Sequence, residues 1–120
     1  MLTFPRTTRV FVATARVDGR KGIDGLAAIV RSHFGREPLD GHVYVFFSRC
    51  ADRVRVLYFA GYGYVLVLKR REKGTFHTPP AELSGTHIPI DAAELMLILE
   101  GIDLRETRRR PRWTPTLASA

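Results

Sequence analysis

The sequence predicts a single α+β domain, in which a small antiparallel sheet of about four to five strands packs with two helices. Short runs with the period of two that is typical of strands occur beside two stretches with helical spacing. Glycine-rich turns separate the strands, and no linker or internal repeat divides the 120 residues. We therefore expect one domain over residues 1–104 and a flexible, arginine-rich tail over residues 105–120.

The first part of the chain predicts a strand, a turn and a helix. Residues 9–15 alternate β-branched side chains, which indicates a strand. Two glycines within residues 18–22 mark a turn. A helix is predicted from about residue 23 to residue 34, because apolar side chains recur there on one helical face. Gly35 is the expected end of this helix.

Three further strands are predicted to form an antiparallel meander. They cover residues 42–48, 53–59 and 62–70, and the glycines between the last two suit a tight hairpin. Residues 75–78 are expected to add a short edge strand, and residues 79–89 are expected to form a loop.

The last helix has the clearest signals in the sequence, over residues 91–103. Asp91 can cap it, and Glu94 three residues later completes a capping-box pattern. Met96 and Leu97 are apolar in addition to the core-facing positions, so the helix is apolar nearly all round. A helix of this kind is either deeply buried or covered by a partner.

The charge of the chain is positive and unevenly distributed. The net charge is +7, and sixteen of the nineteen basic residues are arginines. Residues 81–104 contain five acidic and no basic residues, whereas the regions on either side are basic. Because the planar guanidinium group grips phosphate with two donors, this composition favours contact with nucleic acid. The codon usage of a GC-rich genome is the alternative explanation for the excess of arginine.

Several cations are candidates for contact with DNA. Arg20 and Lys21 precede a helix start, where backbone N–H groups favour an anion, although they could simply be solvated turn residues. The basic run at 69–73 lies near Phe76, which suits a nucleic-acid backbone and base; a charged edge that prevents aggregation is the alternative. The predicted nucleic-acid-binding residues are Arg20, Lys21, Arg53, Arg55, Lys69, Arg70, Arg71 and Lys73.

The sequence predicts no catalytic or metal site and no cofactor. The acidic residues include no spaced trio that could hold two metal ions, and the four histidines are isolated. Cys50, the only cysteine, follows an apolar strand and reads as structural. No apolar run is long enough to span a membrane, and the first residues do not resemble a signal peptide. We expect a non-enzymatic protein of the bacterial cytoplasm.

Five blocks of the sequence resemble the TnpB accessory proteins, the second open reading frame product of the insertion sequence sixty-six family. The block 18–26 is similar to the family's Asp-x-Arg-Lys-Gly-x-Asp-Gly-Leu signature. The chain differs at Phe59 and Ala60, where the family usually has Trp and Asp, and at Thr78, where a Trp-Pro pair often begins. The other blocks, in family order, are Gly41–Phe46, Val56–Gly63, Lys69–Arg70 with Gly74 and Phe76, and Leu99–Asp103.

The resemblance implies a protein that is encoded beside a larger transposase and supports DNA transposition without cutting DNA itself. DNA and the transposase are then the expected partners. One interpretation is a module that contacts the DNA backbone. The other is an interaction module without direct DNA binding, and a homo-oligomer is compatible with both. The predicted partner-binding residues are Tyr62, Tyr64, Met96 and Leu97.

Overall fold

The computed structural model describes residues 4–78 and 85–102, and the predicted tail over residues 105–120 lies outside this part of the chain. The strands and helices occur in the predicted order along the chain, with one additional strand before the last helix. The helix α1 continues directly into a π-helical turn, Val30–Phe34. The bounds are β1 Val10–Ala13, α1 Ile23–Ile29, β2 Val43–Phe47, β3 Arg53–Ala60, β4 Gly63–Arg70, β5 His87–Ile90 and α2 Ala92–Leu99.

The predicted α+β fold class is confirmed, but the sheet is mixed rather than wholly antiparallel. Its strand order is β4-β3-β2-β1-β5. β1 pairs with β2 in parallel, with Val10 opposite Val43, whereas the other neighbouring pairs are antiparallel. The reason is the crossover through α1, which returns the chain to the edge of the sheet where β1 began.

The strand β5 lies where a loop over residues 79–89 was predicted, so this prediction was wrong at its C-terminal end. β5 pairs with β1, with Ile88 opposite Val12. Ile88 and Ile90 are buried, and Pro89 between them is exposed. A proline is tolerated here because β5 is an edge strand, where one ladder hydrogen bond can be absent.

The edge strand predicted at residues 75–78 does not form. Phe76 is instead buried beside the sheet, where its ring approaches that of Phe47 at 6.4 Å between centroids. The backbone N–H of Phe76 donates to the carbonyl of Ala51 at 2.7 Å. Burial of this aromatic side chain therefore stabilises the fold more than the hydrogen bonds of a short edge strand would.

The sheet is covered by a helix on each face, which gives three layers. Alternate side chains of a strand point to opposite faces, so β1, β2 and β3 contribute to two separate cores. The core beneath α2 contains Val10, Val12, Val43, Val45, Phe47, Val54, Val56, Phe76, Ile88, Ile90, Leu95 and Ile98. The core beneath α1 contains Phe11, Ala13, Val17, Leu26, Ala27, Val30, Phe34, Tyr44, Phe46 and Leu57.

The predicted capping box of α2 is confirmed. A carboxylate oxygen of Asp91 accepts from the N–H of Glu94 at 2.7 Å, and Glu94 accepts from the N–H of Asp91 at 3.1 Å. The helix ends at Leu99, earlier than the predicted limit of 103, because Gly101 adopts the left-handed conformation with φ of 87°. The N–H of Ile102 then donates back to Leu97 at 3.0 Å, which closes the helix.

The predicted hairpin between β3 and β4 is also confirmed. A two-residue turn, Gly61-Tyr62, joins the strands, and Ala60 lies opposite Gly63. Gly61 has φ of 64°, a value that glycine adopts without strain and that tight hairpins favour at this position.

His87 lies in an aromatic cluster of the core beneath α1. Its ring stacks on Phe34 at 4.6 Å and meets the edge of Phe11 at 5.4 Å, between ring centroids. Burial lowers the pKa of His87, and the positive charge of Arg36 lowers it further. Folding therefore favours the neutral imidazole.

We expect this histidine to make the protein less stable in mild acid. The unfolded chain binds the proton more readily, so the contribution is complete above the ordinary histidine pKa of about 6.5 and is lost as the pH falls toward the folded value. Thermal unfolding between pH 7.5 and 5 should show a falling Tm. His87→Phe keeps an aromatic ring against Phe34 and should lack this part of the pH dependence. Parallel curves for the two proteins would contradict the expectation.

Candidate nucleic-acid interface

The turn between β1 and α1 holds Arg20 at the surface. One oxygen of Asp18 accepts from the backbone N–H of Arg20 at 2.9 Å, and the other accepts from Nη2 of the same residue at 3.1 Å. The hydrogen bond from the Arg20 side chain is the main reason that the pKa of Asp18 falls to about 2. The side chain of Arg20 nevertheless remains 91% exposed. Asp18 thus orients Arg20 and leaves it accessible.

This turn packs against two arginines of β3. Arg55 donates from Nη2 to the carbonyl of Gly19 and is only 9% exposed. A Cβ atom at Gly19 would lie 3.4 Å from Nη1 of Arg53, so the glycine permits a close approach of backbone and guanidinium groups. Burial is the main cause that lowers the pKa of Arg55. Arg55 therefore supports the turn from below. Arg53 lies where the turn meets solvent.

The register of β3 and β4 adds a third arginine on the same face. Arg53 lies directly opposite Arg70, and both are on the face covered elsewhere by α1, since Leu57 in the same alternation belongs to that core. Nη2 of Arg70 forms an exposed ion pair with Glu72 at 3.0 Å. We call Arg20, Arg53, Arg55 and Arg70 the basic face.

The remaining predicted cations of the 69–73 run lie near the end of α2, on the opposite face of the sheet. Nζ of Lys69 donates to the carbonyl of Leu99 at 2.6 Å, and Nη1 of Arg71 donates to the carbonyl of Thr75 at 2.9 Å. The backbone of Gly101 lies close to the guanidinium group of Arg71, because a Cβ atom at this glycine would be 2.9 Å from Nη1. Cations at a helix C-terminus are favourable to the helix dipole. Lys69 and Arg71 therefore stabilise the end of α2.

The structure thus distributes the eight predicted cations over both faces of the sheet, and Arg70 lies between the two groups, since it is opposite Arg53 and also lines the cleft of the other group. Lys73 borders a cleft of about 360 Å³ together with Lys69, Arg70 and Arg71. Lys21, on the other side of the sheet, borders a second cleft, beside the basic face. Their role in DNA binding stays a prediction for both groups.

The predicted partner-binding residues do not form one compact patch. Tyr62 is fully exposed at the tip of the β3–β4 hairpin, and Tyr64 is half-buried against the core beneath α1. Met96 and Leu97 are half-buried on α2, whose last turn is bonded to Lys69 at the far end of β4. The eight residues of β4 span about 23 Å at the usual rise per residue.

Sequence reasoning missed Arg16, His33 and Arg49. These residues line a cleft of about 270 Å³ at the carboxyl end of β1, together with Lys21. Arg16 follows β1 and Arg49 follows β2, and the carboxyl ends of parallel strands meet at one edge of a sheet. The sequence predicted an antiparallel sheet, so β1 and β2 were not expected to be parallel neighbours whose carboxyl ends meet.

Within residues 4–78 and 85–102, no three of the His, Cys, Asp and Glu side chains come close enough to hold a metal ion. Across the same residues, no helix combines the length and the apolar character that a membrane crossing needs.

Comparison with known proteins identifies the family. The profile of the family described as "IS66 Orf2 like protein" matches residues 8–109. The chain belongs to this family. Its signature at 18–26 is the turn that carries Arg20, followed by the start of α1. The resemblance deduced from the five sequence blocks is therefore confirmed, and this IS66 Orf2-like protein is an accessory protein of an insertion sequence.

Two relatives of the IS66 Orf2-like protein come from the bacterium Sinorhizobium fredii. The uncharacterized protein y4jC is 36% identical over 111 residues, which cover 92% of this chain and 93% of the relative. The uncharacterized protein y4hO is 37% identical over 116 residues, which cover 97% of each chain. No solved structure matches this sequence.

Proposed function

We propose that this IS66 Orf2-like protein supports transposition without catalysis, by holding the DNA backbone on its basic face. A separate transposase would perform the chemistry. The single observation that carries the proposal is the placement of Arg53 directly opposite Arg70 beside the turn of Arg20. Like charges opposite each other across a sheet destabilise the fold. A bound polyanion would relieve that repulsion.

The pattern of ion pairs supports an unsatisfied positive charge. Asp18 pairs with Arg20 and Glu72 pairs with Arg70, while Arg53 and Arg55 add two further cations to the same face. The side chain of Arg20 is almost fully exposed, and that of Arg70 is about half exposed. Arginine donors in this arrangement suit phosphate oxygens, and contacts to phosphates position a duplex without reading its bases.

A titration of DNA binding against salt tests the proposal. The purified full chain would be titrated with the element's terminal repeat and with an unrelated duplex of equal length. Contact with three or four phosphates should give a slope of about −3 to −4 in log K against log salt concentration. The two duplexes should bind with similar affinity. Absence of binding at low salt would overturn the proposal.

The second candidate is a protein-interaction module that docks on the transposase. Tyr62 is fully exposed, and Leu68 on the edge strand β4 is 54% exposed, so apolar surface is available on the hairpin. Tyr62→Ala should then weaken capture of the purified transposase without changing the affinity for DNA. If the salt titration shows no DNA binding, the interaction module becomes the preferred function.

A further inference from the structure

The cleft at the carboxyl end of β1 is built from four separate segments of the chain. Its apolar wall includes Ala15, Ile29 and Phe34. The volume of about 270 Å³ is slightly below the usual range of about 300–1,000 Å³ for small-molecule pockets. The space therefore suits a single flat organic group better than a folded peptide segment.

The π-helical turn supplies part of the wall. Val30–Phe34 forms this turn directly after α1, and both His33 and Phe34 line the cleft. A π-turn widens the helix by one residue, so that successive side chains can approach the same space. Turns of this kind are rare and occur frequently at functional sites. Here the turn adds an exposed imidazole beside an apolar wall.

The rim of the cleft is cationic. Arg16, Lys21 and Arg49 all line it and are exposed, and Nη1 of Arg16 donates to the carbonyl of Arg49 at 3.0 Å. Asp18 also lines the cleft, but Arg20 already binds both of its oxygens. An anionic ligand with an apolar body is thus complementary to the site in charge and in character.

The cleft and the basic face adjoin each other through one turn. Asp18 and Lys21 line the cleft, while Gly19 between them accepts a hydrogen bond from Arg55, and a Cβ atom at this glycine would contact Arg53. A DNA strand whose phosphates lie along the basic face would reach the cleft within a short distance. This continuity favours a nucleotide of the bound strand over an unrelated anion.

We infer that the cleft takes one unpaired nucleotide at the end of a DNA strand. The base would lie against the apolar wall, and the phosphate would be held by Arg16, Lys21 and Arg49. Guanidinium planes and aromatic rings are the surfaces on which unpaired bases stack. The inference rests on the proposed DNA contact and adds a preference for frayed or single-stranded ends.

The test compares duplexes that differ by one unpaired nucleotide. A blunt duplex would be compared with duplexes that carry one 2-aminopurine nucleotide at the 3′ or at the 5′ end. The wild-type protein should bind one of the extended duplexes about tenfold more tightly than the blunt one, as expected from one stacked base. The fluorescence of the 2-aminopurine should change on binding.

Ala15→Phe should remove this preference, because the exposed Ala15 lines the cleft and a larger side chain would fill it. Its affinity for the blunt duplex should stay unchanged. Ala93→Phe is the matched control, since Ala93 is exposed on α2 across the sheet. Arg49→Ala gives a second test that adds no bulk and should weaken the preference several-fold.

The outcomes separate the two proposals. Equal affinity for blunt and extended duplexes, with unchanged fluorescence, would overturn the nucleotide site and leave the backbone contact intact. Failure to bind any duplex would overturn both. A preference that survives in Ala15→Phe would show that the unpaired base binds elsewhere. Displacement of the labelled base by an acidic peptide, but not by a deoxynucleotide, would assign the cleft to a protein partner.

Discussion

Replacing Arg20, Arg53 and Arg70 together with alanine should lower the affinity for a DNA duplex by about 10²–10³-fold at 0.1 M salt. Each lost phosphate contact removes about 0.9 from the slope of log K against log salt concentration, so the slope should become shallower by nearly three. Arg53 and Arg70 lie on the face of the sheet that adjoins the β1–α1 turn, and Arg20 lies in that turn. Fluorescence anisotropy at several salt concentrations measures both quantities.

A second triple variant controls for the change in net charge. Arg6, Arg9 and Arg31 are exposed and lie in other parts of the chain. Their replacement by alanine removes the same charge, but it should reduce the affinity and the slope much less. Equal losses in the two variants would show that only the overall charge matters and that the basic face has no special role.

The free energy of unfolding of Arg70→Ala should distinguish a role in DNA binding from a role in the fold. Arg53 and Arg70 oppose each other across β3 and β4, and like charges so placed destabilise the sheet. Arg70→Ala should therefore leave the free energy of unfolding unchanged or slightly raised, while DNA affinity falls. A clear loss of stability would indicate that Arg70 serves the fold through its ion pair with Glu72.

Leu95→Ala should lower the free energy of unfolding by about 2–5 kcal/mol, because it leaves a cavity beneath α2. Leu95 is fully buried and belongs to the core that this helix closes over the sheet. The loss is a large share of the about 5–15 kcal/mol that stabilises a typical domain. Urea denaturation with a fixed m-value measures it.

Met96→Ala is the neighbouring control, since Met96 is half-buried. It should cost clearly less than Leu95→Ala. Similar costs for the two variants would show that α2 is not anchored mainly through the face that bears Leu95 and Ile98. If Met96→Ala leaves the free energy of unfolding unchanged but weakens capture of the transposase, the result would support the interaction module.

The local elements of this protein were predictable because their signals are local. Alternation identified β1, β3 and β4, and a continuous apolar run identified β2. The pair Asp91 and Glu94 identified the start of α2, and Gly61 identified the hairpin turn. Each of these depends on residues a few positions apart. β5 was missed because it has four residues, one of them Pro89, and its partner β1 is more than seventy positions away.

The candidate site was only partly predictable. Basic residues and the family signature pointed to Arg20, Lys21 and the arginines of β3. Sequence reasoning treated the run at 69–73 as one group, whereas alternation in β4 sends Arg70 to the basic face and Lys69 to the end of α2. Arg16 and Arg49 carried no signal of their own, because their importance depends on which strands are neighbours.

The sequence by itself determined the strands β1 to β4, both helices, the positive charge and membership of the IS66 Orf2-like family. Only the tertiary structure decided that β1 and β2 run in parallel and that β5 closes the other edge. The physical reason is that side-chain periodicity records which face of a strand is buried, but not the direction or identity of its neighbour. The parallel pairing brings Arg16 and Arg49 to one cleft, and the pleat of β3 and β4 brings Arg53 and Arg70 to one face.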